Sequence, residues 1–228
     1  MKFLTAERPG GSLFKVDFRL RPYAEGALAV PVDRYAEYYA KEAQGWEVQT
    51  LCRARAVAGA GEPGKGFWPA VEKRWKGLGS DRKFLGEMLA MRERIATERV
   101  PKGGEDRAYK TGRGGLIDVE FAAQAWQMRQ GLVQTETAGV LKKMSKSDPD
   151  AARELQEGLA FWSTAEWWLR LDEGRGGSLL PAEGPDREWL AKKCGVSDGR
   201  ALMEKVGETA RVVHGAYQRV TGKMLSDG

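Results

Sequence analysis

Histidine is nearly missing from this chain. One, His214, stands among 228 residues with two cysteines, Cys52 and Cys194. That inventory is too small for a zinc cluster, a Ser-His-Asp arrangement or a disulfide framework. No stretch approaches ~20 consecutive apolar residues, so no segment reads as a membrane span. The opening Met1-Lys2-Phe3-Leu4-Thr5 has neither the apolar run nor the small-residue cleavage site of a secretory signal. Internal repeats and low-complexity tracts are missing too. These absences make a reduced, cytoplasmic setting the expectation, with no membrane partner. The hydrophobic share, 42%, and the charged share, 30%, suit a globular protein and argue against disorder. Lysine and arginine outnumber acids by 37 to 32, giving a net charge of +5. Such a bias fits an anionic ligand such as a nucleotide, an acidic protein partner, or simply solvated helix faces. No aromatic-basic motif of a nucleic-acid fold accompanies it, so nucleic acid is not the expected partner.

Period-two alternation is clearest over residues 13–21. Phe14, Val16, Phe18 and Leu20 share one face, and Lys15, Asp17, Arg19 and Arg21 the other, as in a half-buried strand that Pro22 ends. Ala27 to Val30 can return as a second strand, giving a hairpin of strands 12–21 and 27–31. A lone hairpin is marginal, so the rest of its sheet is expected outside this sequence. Beyond it the pattern is helical. Asp33 can cap a helix through Tyr35, Tyr38 and Tyr39, and a second amphipathic run carries Trp46, Leu51 and Ala54. Residues 58–66 read as a linker. Ser80-Asp81 opens a helix with Phe84, Met88, Met91 and Ile95 on one face. Residues 100–115 form a polar, glycine-rich loop before an apolar helix from Leu116 to about Arg129. Asp148-Pro149 starts a long helix, 172–186 is another loop, and helices at about 187–194 and 199–221 close the chain.

Several residues could carry chemistry. Asp17 lies between Lys15 and Arg19, roughly 6–7 Å from each along the strand. It either ligates a hard cation such as Mg²⁺ or is a solvated charge on an open sheet face. Arg19 and Arg21 project from that same face and either grip phosphate or make an ordinary basic surface. Lys110-Thr111-Gly112-Arg113-Gly114-Gly115 runs straight into a helix, an arrangement that can receive an anion, although it matches no P-loop or dinucleotide fingerprint. Glu120, Gln124 and Gln127 form a narrow polar stripe on the helix behind it. That stripe either faces solvent or finds partners in a wet cavity. Trp162, Trp167 and Trp168 read as core. His214 has no obvious partner and reads as structural or exposed.

Taken in order, these segments resemble the glutamine synthetase adenylyltransferase family, the bifunctional regulators of bacterial nitrogen assimilation. Val16-Asp17-Phe18-Arg19-Leu20-Arg21-Pro22 is similar to that family's V-D-x-R-L-R-P strand. Trp46-Glu47, Gln49, Leu51, Arg53-Ala54-Arg55, Val57 and Gly59 follow its W-E-x-Q-A-L-x-R-A-R-x-V-x-G segment. Lys110, Gly112, Gly114-Gly115, Asp118-Val119-Glu120-Phe121 and Gln124 follow its K-x-G-x-G-G-x-x-D-I-E-F-x-x-Q segment. A looser match continues through Trp168-Leu169-Arg170-Leu171, Leu180-Pro181 and Leu190-Ala191.

The resemblance implies a mainly α fold. A short β hairpin left over from a nucleotidyltransferase α+β core, with the helices that follow, would occupy residues 1–62, and the family's helical domain residues 63–228. It implies transfer of AMP from ATP to a tyrosine of glutamine synthetase by in-line attack on the α-phosphorus. Asp118 favours the transferring half, since the removing half usually reads R-E-I-E-F. Asp17 would be the third catalytic carboxylate and a metal ligand, and Arg19, Arg21 and Lys110 would bind nucleotide phosphate. Glu47, Arg53, Arg55, Gly114, Gly115, Asp118, Glu120 and Gln124 would be supporting positions. Mg²⁺ and ATP are the expected cofactors of the complete family enzyme. Expected partners are glutamine synthetase, a PII-type signalling protein and the missing N-terminal nucleotidyltransferase segment.

The departures are specific. The residues ahead of Asp17 hold no G-S-x-x-D-x-D stretch, where the family keeps its first two metal-binding aspartates. Ala24, Thr50 and Ala108 replace a common glycine, alanine and acid. The chain is therefore expected to be a fragment that is inactive by itself. The alternatives are a non-catalytic regulatory or scaffold module and a helical nucleic-acid-binding protein.

Overall fold

Two acids expected to open helices do so by the chemistry expected of them. Asp81 is an N-cap whose carboxylate accepts from the backbone N–H groups of Lys83 and Phe84, and Asp148 accepts from that of Ala151 with Pro149 behind it. A computed structural model describes residues 11, 21–23, 29–55, 64–172 and 177–226. Their helices are α1 (Val32–Lys41), α2 (Gly45–Thr50), α3 (Gly64–Gly79), α4 (Arg82–Glu98), α5 (Leu116–Gln130), α6 (Thr137–Met144), α7 (Pro149–Leu171), α8 (Pro185–Lys193) and α9 (Gly199–Ser226). Short 3₁₀ turns cover Leu51–Arg53 and Glu105–Arg107. The protein is mainly α, and no strand occurs among the described residues. No helix there is long and apolar enough to cross a membrane.

Several expectations need adjustment. Strand 12–21 lies outside the described residues except at Arg21, which is in a bend. Of the return strand 27–31, residues 29–31 make a bend and an extended lead-in to α1 instead of a strand. Pro31, which cannot donate to a ladder, is the N-cap of that helix, and Asp33 lies in its first turn without capping it. The helix after the 58–66 linker begins already at Gly64. The tryptophans separate: Trp162 is buried, Trp168 half-buried, and Trp167 is 55% exposed.

The core is built around α5. Val119, Ala122, Ala123, Ala125 and Met128 are buried around its circumference, and α3, α4, α6, α7 and α9 all pack against it. Alanine at three of these positions lets neighbouring backbones approach, so the helix reads as apolar nearly all round. Gly131, at φ +59°, ends it in the left-handed conformation. Gln127, the last residue of the polar stripe, is buried and donates to the carbonyls of Leu132 and Gln134 beyond that turn.

Helices α1 and α3 pack through aromatic rings, with Tyr35 5.5 Å from Tyr39 and 5.7 Å from Phe67. Trp75 of α3 is buried and donates to the carbonyl of Val48 in α2, at 3.0 Å. The helices on either side of residue 62 are thereby joined, although residues 56–63 themselves lie outside the description.

Candidate functional site

Helix α5 carries its polar groups to two places, and each meets a distant part of the chain. On one side its stripe faces the segment of α2 and the 3₁₀ turn. Gln49 Nε2 donates to Gln124 Oε1 at 2.8 Å, and Arg53 Nη1 to Glu120 Oε1 at 2.8 Å. Each segment offers its two groups four residues apart, so the two pairs form an antiparallel ladder. Burial pushes the Glu120 carboxyl above the usual range, and the charges of Arg53 and Lys110 only partly oppose it.

On the other side stands Asp118, in the first turn of α5 and 1% exposed. Its carboxylate accepts from Arg92 Nε of α4, from the Gly114 N–H at 2.6 Å, and makes a 2.8 Å hydrogen bond with Nδ1 of His214 in α9. Arg92, equally buried, uses its other nitrogens on the carbonyls of Thr111 and Gly112, at 3.1 and 2.7 Å. Trp162 donates to the Gly114 carbonyl at 3.0 Å. The loop from Lys110 to Gly115 is thus held by three helices. A buried ionised pair persists when its remaining hydrogen-bonding capacity is filled in this way.

The glycines of that loop serve packing. Gly114 has φ +74°, and a Cβ there would overlap the Ala210 carbonyl of α9. At Gly115 and Gly112 a Cβ would crowd the carbonyls of Tyr109 and Ala108. The first N–H groups of α5 are already used: Leu116 donates to Tyr109, Ile117 to Lys110 and Asp118 to Gly115. The anion-receiving end anticipated at this helix is therefore closed by the loop's own carbonyls.

Lys110 points away from the helix end. Its ammonium lies 2.8 Å from Glu166 Oε1 of α7, the same oxygen that Arg170 reaches at 2.9 Å. Burial pushes Glu166 up, but hydrogen bonds from these two cations outweigh it and hold its carboxyl below the usual range.

Other expected site residues are placed as follows. Asp17 and Arg19 lie outside the described residues, and Arg21 is half-buried before a buried Pro22. Glu47 is buried and committed locally, closing a capping box with Gln44 and accepting from Tyr38 at 2.7 Å. Arg55 is exposed beyond the 3₁₀ turn. Arg92, His214, Trp162 and Glu166 were not anticipated as a set. Arg92 carried a legible signal, since it stands four residues after Met88 on the apolar face of α4, where a cation needs a buried partner. His214 offered none in sequence. Among the described residues no group of three or more His, Cys, Asp or Glu could hold a metal ion.

Residues 1–68 match the family model of glutamate-ammonia ligase adenylyltransferase, and residues 89–221 that of the GlnD PII-uridylyltransferase. A bifunctional glutamine synthetase adenylyltransferase/adenylyl-removing enzyme of Mycobacterium leprae (strain TN) is 40% identical over 220 residues, covering 91% of this chain and 22% of that protein. Its namesake in Nocardia farcinica is 35% identical over 74% of this chain and 18% of its own length. The chain spans about a fifth of the length of the curated relatives it matches. These likenesses run through the segments that form the ladder, the loop and its Asp118 anchor, and the chain belongs to the glutamine synthetase adenylyltransferase/adenylyl-removing enzyme family.

Proposed function

We propose that these residues serve a cytoplasmic nucleotidyltransferase that moves AMP from ATP to a tyrosine of glutamine synthetase, in the half that adds AMP. The observation that carries this reading is the ladder. Gln49 and Arg53, from the W-E-x-Q segment, touch Gln124 and Glu120, from the D-V-E-F segment. The residues by which the chain resembles the family are thus in mutual contact. Asp118, which stands where the transferring half keeps its aspartate, anchors the loop behind them.

In this reading Asp17 would hold Mg²⁺ together with two aspartates of a G-S-x-x-D-x-D stretch, which the 228 residues do not contain. Bound Mg²⁺ would neutralise charge on the phosphates of ATP. Since the described residues hold no metal cluster of their own, the helical part contributes position and charge. Arg19, Arg21 and Lys110 would hold the phosphates, and the ladder fixes the 45–55 segment against α5. By themselves the 228 residues transfer no AMP.

The test combines this chain with a separately expressed nucleotidyltransferase segment bearing the G-S-x-x-D-x-D motif, glutamine synthetase, Mg²⁺ and ATP labelled at the α-phosphate. Label should enter the synthetase only when both chains are present, and Asp17→Asn should abolish it. Label with this chain alone defeats the missing-acid reading, and none with both chains defeats the function.

A second reading, a non-catalytic module that binds glutamine synthetase or a PII-type protein, draws on the match of residues 89–221 to a PII-uridylyltransferase model. Co-purification with either protein, without AMP transfer in the combined assay, would favour it.

A further inference from the structure

Helix α4 buries only part of its circumference. Phe84, Leu85, Met88 and Arg92 are buried, whereas Lys83, Glu87, Ala90, Arg94 and Glu98 are exposed. At 3.6 residues per turn, Lys83, Glu87, Arg94 and Glu98 fall within about 60° of arc and form one charged stripe. Ala90 and the half-buried Met91 flank its middle. Among the described residues none of these four charges has an ion-pair partner. The other exposed charges of the helix, Arg82 and Glu93, are turned to Ser226 and Arg113 of the same chain.

The charges along this stripe are antisymmetric. Lys83 and Glu98 lie equally far from a point between Ala90 and Met91, and so do Glu87 and Arg94. Each pair joins opposite signs. A copy of the helix running antiparallel across that point sets Lys83 against Glu98 and Glu87 against Arg94, and two-fold symmetry makes each pair twice. Antiparallel helices about 8–10 Å apart bring such side chains within ion-pairing reach. A parallel copy in register would set like against like. Apolar surface lies at the centre. Met91 borders a cavity of about 470 Å³ whose walls include Trp46, Phe84 and Met88. Trp46 is 44% exposed, and its indole N–H already donates to Gln44 at 2.8 Å, so the ring it leaves to solvent is apolar. Its helix sits close against α4, since a Cβ at Gly45 would overlap the Phe84 ring.

We propose that the exposed face of α4 binds a second copy of this chain, as an antiparallel helix pair whose two-fold axis passes between Ala90 and Met91. The two Met91 side chains meet at that axis beside the two Trp46 rings, where a flexible thioether fills the cavity. The small Ala90 lets the backbones approach, and four ion pairs set the register. A second copy is the occupant because the helix already carries, in the required order, the charges that complement it. This inference is independent of the reading as an AMP-transferring enzyme.

Sedimentation velocity of the 228-residue chain tests this. The chain should run as a monomer at about 1 µM and increasingly as a dimer towards about 1 mM, less so as salt is added. Glu87→Arg and Arg94→Glu should each raise the dissociation constant about tenfold or more, because symmetry turns two attractive pairs repulsive at once. An equimolar mixture of these two variants should recover the dimer, since each then offers two charges of one sign to two of the other. Trp46→Ala should weaken association, whereas Trp167→Ala, at an exposed position on α7, should leave it unchanged. A chain that stays monomeric to about 1 mM overturns the proposal and leaves this face to a different partner. A dimer that survives both single charge reversals overturns it too, as does a mixture that fails to restore association although both variants have native circular dichroism. Equal losses from Trp46→Ala and Trp167→Ala would do the same.

Discussion

Asp118 and His214, 96 residues apart in the chain, are joined by a 2.8 Å hydrogen bond between Oδ2 and Nδ1. With Arg92 on its other oxygen, Asp118 ties the middle of α4 and the start of α5 to the middle of α9 and holds the Gly114 amide. Asp118 therefore works as an anchor for the glycine loop, buried away from open solvent.

Removing Asp118 should be costly. Asp118→Ala leaves the Arg92 guanidinium buried without its counter-charge, so stability should fall by about 3–5 kcal/mol. Arg92→Ala should cost a similar amount, and the double variant less than the sum, because both changes break one unit. Urea unfolding of the three variants measures this. Additive losses would show that the two residues act separately.

Two glycines should respond in opposite directions. Gly114→Ala puts a side chain at φ +74° and drives it into the Ala210 carbonyl, so it should destabilise by about 2–4 kcal/mol. Gly207 lies within α9, and a methyl group on its Cα would meet nothing within 4 Å, so Gly207→Ala should stabilise by about 0.5–1 kcal/mol. Thermal unfolding of the pair checks both signs.

Glu120 should make stability depend on pH. Its folded carboxyl titrates above the ordinary glutamate range because it is buried. The folded chain therefore binds more protons than the unfolded one in the window between the ordinary value and the raised one. Stability from this group is present below that window and declines as pH rises through it. Glu120→Gln removes the titration, so the variant should gain on the parent as pH is raised from about 4 to 7. Urea midpoints across that range give the difference, and parallel curves would count against the assignment.

The tryptophans of α7 should separate by burial. Trp162→Ala empties a core site and releases the Gly114 carbonyl, at a cost of about 3–5 kcal/mol. Trp167→Ala, at a 55% exposed position, should stay within about 1 kcal/mol of the parent. Denaturant midpoints distinguish them, and equal losses would place Trp167 in the core after all.

Local chemistry determined much of this protein. Asp81 and Asp148-Pro149 start helices because a cap needs only the residues of one turn, and the all-round apolar character of α5 marks it as the central helix. The segments that carry the family likeness were legible for the same reason, being contiguous. Tertiary structure decided what those segments touch. Nothing local pairs Arg53 with Glu120, Lys110 with Glu166 or Asp118 with His214, because each pair closes a gap of 56 to 96 residues. The same distance effect turned the glycine loop from an apparent anion cradle into a packing element, since the carbonyl that excludes a Cβ at Gly114 comes from α9. A cap is an interaction within one turn, whereas an ion pair between helices exists only once the core has brought those helices together.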